Sequence, residues 1–231
     1  MLKKLTEEKR EEVLRAGISE FAERGYYHAG MNGIAGRAGI SVGALYKYYA
    51  DKREFFGACL KKCMEDLEQV LTAVAEPKDR LLVYADRLIE ALQRHAREQG
   101  DCIRLYNQLA AGGIPGGEEW VEKIEGLTAR VYTGFMETAK RDGTARRDMD
   151  ARLFAFFFDN LLMMLQFSYT CDYYRERFRI YCGEDMQERD GYVRNELLKF
   201  FESAFTVCRR EPGAEGQSYT REPNDLTTYP L

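Results

Sequence analysis

Apolar side chains recur along this chain at intervals of three and four residues, which is the spacing of one face of a helix. The first such stripe consists of Val13, Leu14, Gly17, Ile18 and Phe21. It predicts an amphipathic helix from about residue 6 to residue 24, and Gly25 is a suitable residue to end it.

The same spacing predicts a series of further helices and no strands. They cover residues 31–38, 41–49, 52–75, 77–98, 102–110, 118–141, 150–176 and 192–209. The glycine-rich segment 112–117 and the segment 211–231 lack this periodicity, so we expect a flexible connection and a disordered tail there. The pattern therefore predicts an all-α fold.

The two short helices between residues 31 and 49 are spaced as in a helix-turn-helix. Ile34, Ala35 and Ala38 form the inner face of the first helix, and Gly39 supplies the tight turn. Ser41 is a good N-cap for the second helix. The outward face of that helix is small at its start and then basic and aromatic, which suits a DNA major groove; it consists of Val42, Gly43, Ala44, Lys47 and Tyr48.

This region resembles the TetR (tetracycline-repressor-like) family over roughly residues 13–56. The resemblance rests on the order and spacing of Phe21, Gly25-Tyr26, Ile34-Ala35, Ala38-Gly39-Ile40-Ser41, Gly43, Leu45-Tyr46-Lys47-Tyr48-Tyr49 and Lys52. It implies a helix-turn-helix domain in a three-helix bundle over residues 1–52. It also implies a helical ligand-binding and dimerisation domain over residues 53–210, and hence a transcriptional repressor rather than an enzyme.

The resemblance assigns DNA-contact roles to individual residues. It places Ser41, Val42, Gly43 and Ala44 near base edges and phosphates, and Lys47 in the groove. Tyr46 and Tyr48 are expected on the sugar-phosphate backbone, and Lys52 on a phosphate together with the first amides of its helix.

The sequence departs from the family pattern at Ala29 and Gly30, where most relatives have Thr or Ser. Gly30 still serves as a weaker cap and DNA contact, without the hydroxyl. Gly33 and Gly36 each loosen the first motif helix by up to ~1 kcal/mol relative to Ala.

Two helices of the C-terminal half are apolar enough to pair with a second subunit. The segment 150–176 contains Phe154, Phe156, Phe157 and Phe158 in close succession, and a helix that is apolar on nearly every side is buried on two faces. With 192–209 it would complete a four-helix bundle in a homodimer. The family then implies two recognition helices about one DNA turn apart, and a palindromic operator of double-stranded DNA.

Ligand sites are mostly apolar, with a few convergent polar groups. The residues of this half that suit such a site are Tyr84, Leu88, His95, Tyr106, Trp120, Ile124, Tyr132, Phe135, Phe158 and Met163. The aromatic and Met content favours a hydrophobic or aromatic small-molecule inducer. We hypothesise that residues 112–117 form an entrance that responds to its binding.

Charge and composition fit a DNA-binding protein with one basic end. The net charge is −4, but residues 1–53 hold ten Lys/Arg and seven Asp/Glu, a net charge of +3, and the remaining residues carry −7. The first residues are too charged for a signal peptide and no stretch is long and apolar enough to span a membrane, so we expect a cytoplasmic protein. Scattered cysteines are expected to be free thiols there.

Three alternatives stay open. Cys59 and Cys63 lie four residues apart, so the same scaffold could sense thiol oxidation or a soft metal, although no third ligand is evident. A protein partner could replace the organic ligand. A helical enzyme lacks support, because Glu-x-x-His pairs, nucleophile–base signatures and phosphate-binding glycine motifs are absent; no cofactor and no metal site is predicted.

Overall fold

The computed structural model describes residues 6–74 and 80–206, and every regular element in these ranges is helical. The helices are α1 (Glu7–His28), α2 (Met31–Arg37), α3 (Val42–Leu45), α4 (Lys52–Val74), α5 (Leu81–Glu98), α6 (Gly100–Ala110), α7 (Gly117–Arg141), α8 (Ala151–Thr170), α9 (Asp172–Cys182) and α10 (Asp190–Phe205), with a 3₁₀ turn at Glu184–Glu188. The predicted all-α fold is confirmed. The predicted tail, 211–231, lies outside the described residues.

Helices α1, α2 and α3 form the predicted bundle, which we call the head, and local signals set their ends. The Thr6 hydroxyl accepts a hydrogen bond from the Lys9 amide (3.2 Å) at the start of α1. Gly25 has φ 74° and ψ 163°, a conformation open to glycine, and it breaks α1 just before the last residues. The break falls where the apolar stripe predicted the end of the helix.

An ion cluster ties α2 to α1. The Glu20 side chain is 5% exposed. Its carboxylate oxygens lie 3.0 Å from Nε of Arg37 and 3.1 Å from Nε of Arg24. Arg37 also pairs with the exposed Glu23 at 2.6 Å. Because an unpaired buried carboxylate is costly, this shared cluster holds the helix-turn-helix against α1.

The second motif helix is shorter than predicted. Regular α3 ends at Leu45, and the chain continues in tighter turns in which the Lys47 amide donates to the Ala44 carbonyl and the Tyr48 amide to the Leu45 carbonyl. Such i→i+3 bonds commonly finish a helix. The predicted range 41–49 therefore stays wound, but only its first turn is α-helical.

The core of the head continues into the C-terminal half. Phe55, Phe56 and Cys59 of α4 pack with Phe21 and Ile34, and Leu105 and Leu109 of α6 belong to the same cluster. The predicted domain boundary at residue 52 coincides with the start of α4, but no gap in the packing marks it.

A second core joins α5, α7, α8 and α10 behind the head. Its largest members include Tyr84, Leu88, Phe158 and Phe201, all 2% exposed or less. Among the described residues, no helix is long and apolar enough to cross a membrane.

The single helix predicted over 150–176 is wrong: the chain breaks at Cys171 into α8 and α9. The carbonyls of Ser168 and Thr170, which a continuing helix would use, instead accept hydrogen bonds from Gln187 (2.9 Å) and Arg104 (3.1 Å). These partners lie far away in sequence, so the break is imposed by tertiary contacts that satisfy the last carbonyls of α8.

The expectation that the cysteines are all thiols is also wrong. Cys63 of α4 and Cys102 of α6 form a disulfide with Cα atoms 5.4 Å apart. They are 39 residues apart in sequence and meet because α4 packs on α6. Cys59, Cys171 and Cys182 are free.

Close packing of α1 on α4 makes Gly17 obligatory. A Cβ at this position would lie 2.4 Å from the ring of Phe55 and 2.9 Å from the sulfur of Cys59, both fully buried. We expect Gly17→Ala to lower the free energy of unfolding by ~1–3 kcal/mol despite the better helix propensity of Ala. Urea denaturation followed by circular dichroism measures this.

Gly36→Ala is the matched control, because a Cβ there meets no atom within 4 Å. We expect it to raise the free energy of unfolding by up to ~1 kcal/mol. Equal effects of the two substitutions would contradict the packing argument.

Candidate DNA interface and ligand cavity

The turn between α2 and α3 is built from backbone contacts. Gly39 has φ 64°, and the amides of Gly39 and Ile40 donate to the carbonyls of Gly36 (3.1 Å) and Ala35 (3.0 Å). Ile40 packs against the head core. The Ser41 hydroxyl accepts a hydrogen bond from the Ala44 amide (3.1 Å) and so caps α3.

The sequence-predicted DNA contacts form one surface. Gly30, Ser41, Gly43 and Lys47 are exposed, and so are Tyr46 (48%) and Tyr48 (38%). Val42 and Ala44 are half-buried against the head, while Leu45 and Tyr49 point into its core. The surface thus has a small-residue start, two tyrosines and one exposed lysine.

Lys52 is engaged within the protein. Its ammonium donates to the Tyr27 carbonyl (3.1 Å) and lies 5.0 Å from the centre of the Tyr26 ring. Partial burial lowers the pKa of Lys52. An ammonium carries three donors, so this contact, which links the end of α1 to α4, leaves donors available for a phosphate.

The glycine-rich connection packs on the head rather than over a cavity. The Tyr27 hydroxyl donates to the Gly113 carbonyl (2.5 Å), and Gly112, Gly113 and Gly116 have positive φ. Ile114 and the residues after it face α4 across an open cleft. The role of 112–117 as an entrance stays a hypothesis.

An internal cavity lies between α4, α5, α6, α7 and α8. Its volume is about 60 Å³, enough for a few water molecules. The residues that line it are Leu60, Cys63, Met64, Leu67, His95, Cys102, Ile103, Tyr106, Ile124, Thr128, Tyr132, Asp159, Met163 and Gln166.

Half of the sequence-predicted ligand residues line this cavity. They are His95, Tyr106, Ile124, Tyr132 and Met163. Tyr84 instead stacks on Phe135 with ring centres 4.0 Å apart, and Leu88 and Phe158 are buried in the second core. Trp120 lies beside Gly57 in the outer cleft.

Sequence reasoning missed the polar groups that the cavity gathers. The predicted ligand residues do not include Asp159, Thr128 or Gln166, nor the α4 residues Leu60, Met64 and Leu67. Asp159 had a readable signal, because it is the one carboxylate within the apolar run of α8. A charge in such a run is costly unless it serves a site.

Burial tunes the ionisable groups of the cavity. It raises the pKa of Asp159 to about 7, assisted by the negative charge of Glu125. The Tyr106 hydroxyl donates to the Glu125 carboxylate, which together with burial raises the pKa of Tyr106. Burial lowers the pKa of His95, so this imidazole is neutral at pH 7.

Comparison with known proteins identifies the head. The family model for bacterial regulatory proteins of the tetR family matches residues 13–59. The HTH-type transcriptional repressor KstR2 of Mycobacterium tuberculosis is 31% identical over 153 residues, which cover 63% of this chain and 73% of KstR2. The HTH-type transcriptional activator FasR of Mycolicibacterium smegmatis is 30% identical over 95 residues, which cover 39% of this chain and only 43% of FasR.

Solved structures share the fold over most of the chain. The transcriptional regulator FadR of Bacillus subtilis, in complex with stearoyl-CoA, has a TM-score of 0.65 at 16% identity. The match covers 82% of this chain and 97% of FadR. From the family model, the match to KstR2 and the shared fold, this chain belongs to the TetR family of DNA-binding transcriptional regulators, which are not enzymes.

Proposed function

We propose that this chain is a repressor that binds a palindromic operator as a homodimer and leaves it when a small, largely apolar molecule enters the cavity. The proposed DNA contacts are Gly30, Ser41, Val42, Gly43, Ala44, Tyr46, Lys47, Tyr48 and Lys52. The proposed ligand contacts are the sequence-predicted residues that line the cavity, His95, Tyr106, Ile124, Tyr132 and Met163, with the residues of α4 opposite them.

One observation carries this proposal: α4 belongs to both the head and the cavity. Phe55 and Phe56 at its start pack in the head core, and Met64 and Leu67 further along line the cavity. Leu60 does both. A ligand that pushes the cavity wall outward therefore moves the helix that carries the head, and its differential affinity for the two arrangements lowers DNA affinity.

A homodimer is supported by an apolar face that one chain leaves exposed. On α8, Leu153, Phe156 and Phe157 are more than half exposed and recur at helical spacing, and Phe200 of α10 is 54% exposed. Large exposed patches of this kind mark interaction sites. Two-fold pairing of α8 and α10 would present two α3 helices to successive turns of DNA, ~34–36 Å apart.

The relatives support ligand-responsive regulation of transcription, but they differ in whether they repress or activate it. KstR2 is named a repressor and FasR an activator, and the FadR structure holds stearoyl-CoA. We favour repression here because a cavity against α4 offers a direct way to release the head. Such a protein acts on DNA in the cytoplasm.

A second candidate function, thiol sensing, is favoured by the Cys63–Cys102 disulfide. The bond joins α4 to α6 in the cavity wall, and α6 also holds α1 through Gln108, whose amide donates to the Phe21 and Ala22 carbonyls. Cys59 and Cys63 do not form a metal-binding pair, since the Cys63 sulfur is bonded to Cys102. The described residues contain no group of three metal-binding side chains.

Selection of random duplex DNA on the purified protein tests operator binding, and we expect one palindrome to be enriched. Lys47→Ala removes an exposed cation from the proposed groove face. It should weaken operator binding and reduce the slope of log affinity against log salt by about 1. Fluorescence anisotropy measures both, and Lys123→Ala on α7 is the charge-matched control. Failure to enrich any sequence at low salt would refute DNA recognition by this surface.

The dimer is tested by Phe156→Asp, which places a charge on the exposed face of α8. We expect the variant to sediment as a monomer at micromolar concentration and to lose operator affinity, because a buried unpaired charge opposes association. Val83→Asp, at an exposed apolar position of α5, should stay dimeric. A Phe156→Asp dimer of unchanged affinity would rule out pairing through α8.

Thiol sensing is tested by measuring how much inducer lowers operator affinity, before and after oxidation of the protein. Hydrogen peroxide converts the two thiols to a disulfide and is itself reduced to two water molecules. We expect the oxidised protein to respond less to inducer, because α4 is tied to α6, and Cys102→Ser to respond equally in both states. Cys182→Ser, at an exposed free cysteine, is the control. Equal responses of the oxidised and reduced wild-type protein would exclude a redox role.

A further inference from the structure

The cavity is polar on one wall and apolar on the other. Asp159, Met163 and Gln166 lie on one face of α8, and Thr128 and Tyr132 lie on the facing side of α7. The opposite wall is the apolar stripe Leu60, Met64 and Leu67 of α4. A ligand that fills this space has a polar end at α7 and α8, and an apolar body against the helix that leads to the head.

The charges at the polar wall are negative. Asp159 lines the cavity, and the Glu125 carboxylate lies behind it as the acceptor of the Tyr106 hydroxyl. The residues that line the cavity include no Lys or Arg to balance them, and His95 is neutral. An anionic group that enters would be buried against like charge, whereas a cation would gain a partner.

This wall also presents groups that can accept hydrogen bonds, and one of them is buried without a partner. The Tyr132 hydroxyl and the His95 imidazole belong to lining residues that are 2% and 6% exposed. The Gln166 amide nitrogen donates to the Leu162 carbonyl (3.4 Å), but its oxygen is buried without a partner. Each of these groups can accept a hydrogen bond, and leaving them unsatisfied costs free energy.

We propose that the cavity binds an apolar molecule carrying a protonated amine, with the ammonium held by Asp159 and hydrogen-bonded by Gln166 and Tyr132. The proposal rests on the proposed ligand-responsive function and specifies its ligand class. It gives this chain a different ligand class from FadR, whose structure holds stearoyl-CoA. Carboxylates of the same size should bind more weakly, because they would lie beside Asp159 and Glu125.

The size of the site sets the scale of the ligand. Free space of about 60 Å³ suits a compact molecule of roughly ten heavy atoms only after side chains shift. Met64 and Met163 supply that adaptability, because their unbranched chains repack readily. Repacking Met64 displaces the wall that belongs to α4, so amine binding couples directly to the head.

The test is calorimetric titration of the full chain, free of DNA, with three probes of similar shape: phenethylammonium, 2-phenylethanol and phenylacetate. We expect phenethylammonium to bind at least about tenfold more tightly than phenylacetate, with the alcohol between them. Asp159→Asn keeps the shape and removes the charge, and it should abolish the preference for the amine. Asp148→Asn makes the same change of net charge at an exposed site and should keep the preference.

Asp159→Asn is expected to fold well. A carboxylate whose folded pKa is raised makes the protein progressively less stable as pH rises from the unfolded value towards 7, and the amide removes this cost. Thermal denaturation at pH 8 checks it, and Gln166→Ala provides a second variant at the same wall. Loss of the amine preference in this variant would also support the proposal.

The pH dependence gives a separate readout. The groups that face Asp159 are Glu125, Tyr106, Tyr132 and His95; both tyrosines have raised pKa values, and that of His95 is lowered. Asp159 therefore dominates the titration near pH 7, and affinity for phenethylammonium should rise up to about tenfold from pH 6 to pH 8.

Two results would overturn the proposal: phenylacetate binding as tightly as the amine, or none of the three probes binding. Neither result would contradict the proposed operator recognition, because DNA selection measures it in the absence of ligand. A failed selection together with amine binding would leave the ligand class standing and remove the proposed repressor function.

Discussion

The fold depends on the burial of α4 along its length. Phe55 and Phe56 complete the core of the head, and Leu71 at the other end of the helix is buried in the second core. Because protein interiors are close-packed, a helix held in this way shifts as a unit rather than bending freely. This packing requires a glycine at position 17, since only a residue without a Cβ allows α1 to approach Phe55 so closely.

Helix α6 also packs on the head and joins it to the C-terminal half of the chain. Leu105 and Leu109 of α6 share the head core, and Gln108 holds the carbonyls of Phe21 and Ala22. The proposed DNA contacts therefore do not sit on an independent module joined by a linker. Packed side chains, and not a flexible connection, join the head to the helices that line the cavity.

The family contributes the scaffold, and this chain's own side chains shape the cavity. TetR relatives at 15–20% identity keep the helical arrangement across most of the chain. The paired acidic groups, the neutral imidazole and the unpartnered amide of the cavity are features of these particular residues. Fold similarity alone therefore says little about the ligand.

The all-α fold, the motif turn and the family could be predicted from local signals in the sequence: apolar spacing, Ser41 as a cap, and glycines at positions 25 and 39. The sequence also located the exposed face of α3, since helical periodicity fixes which residues point outward. Five of the fourteen residues that line the cavity were also predicted, from the apolar and polar character of their side chains.

The other features depend on contacts between residues that are distant in sequence. The break at Cys171 depends on Arg104 and Gln187, the disulfide on the meeting of α4 with α6, and the cavity on five helices that converge. Each joins residues distant in sequence, and periodicity carries no information about such partners. The charge of Asp159 could be seen in the sequence, but its burial beside Glu125 could not, because burial is a property of the packed chain.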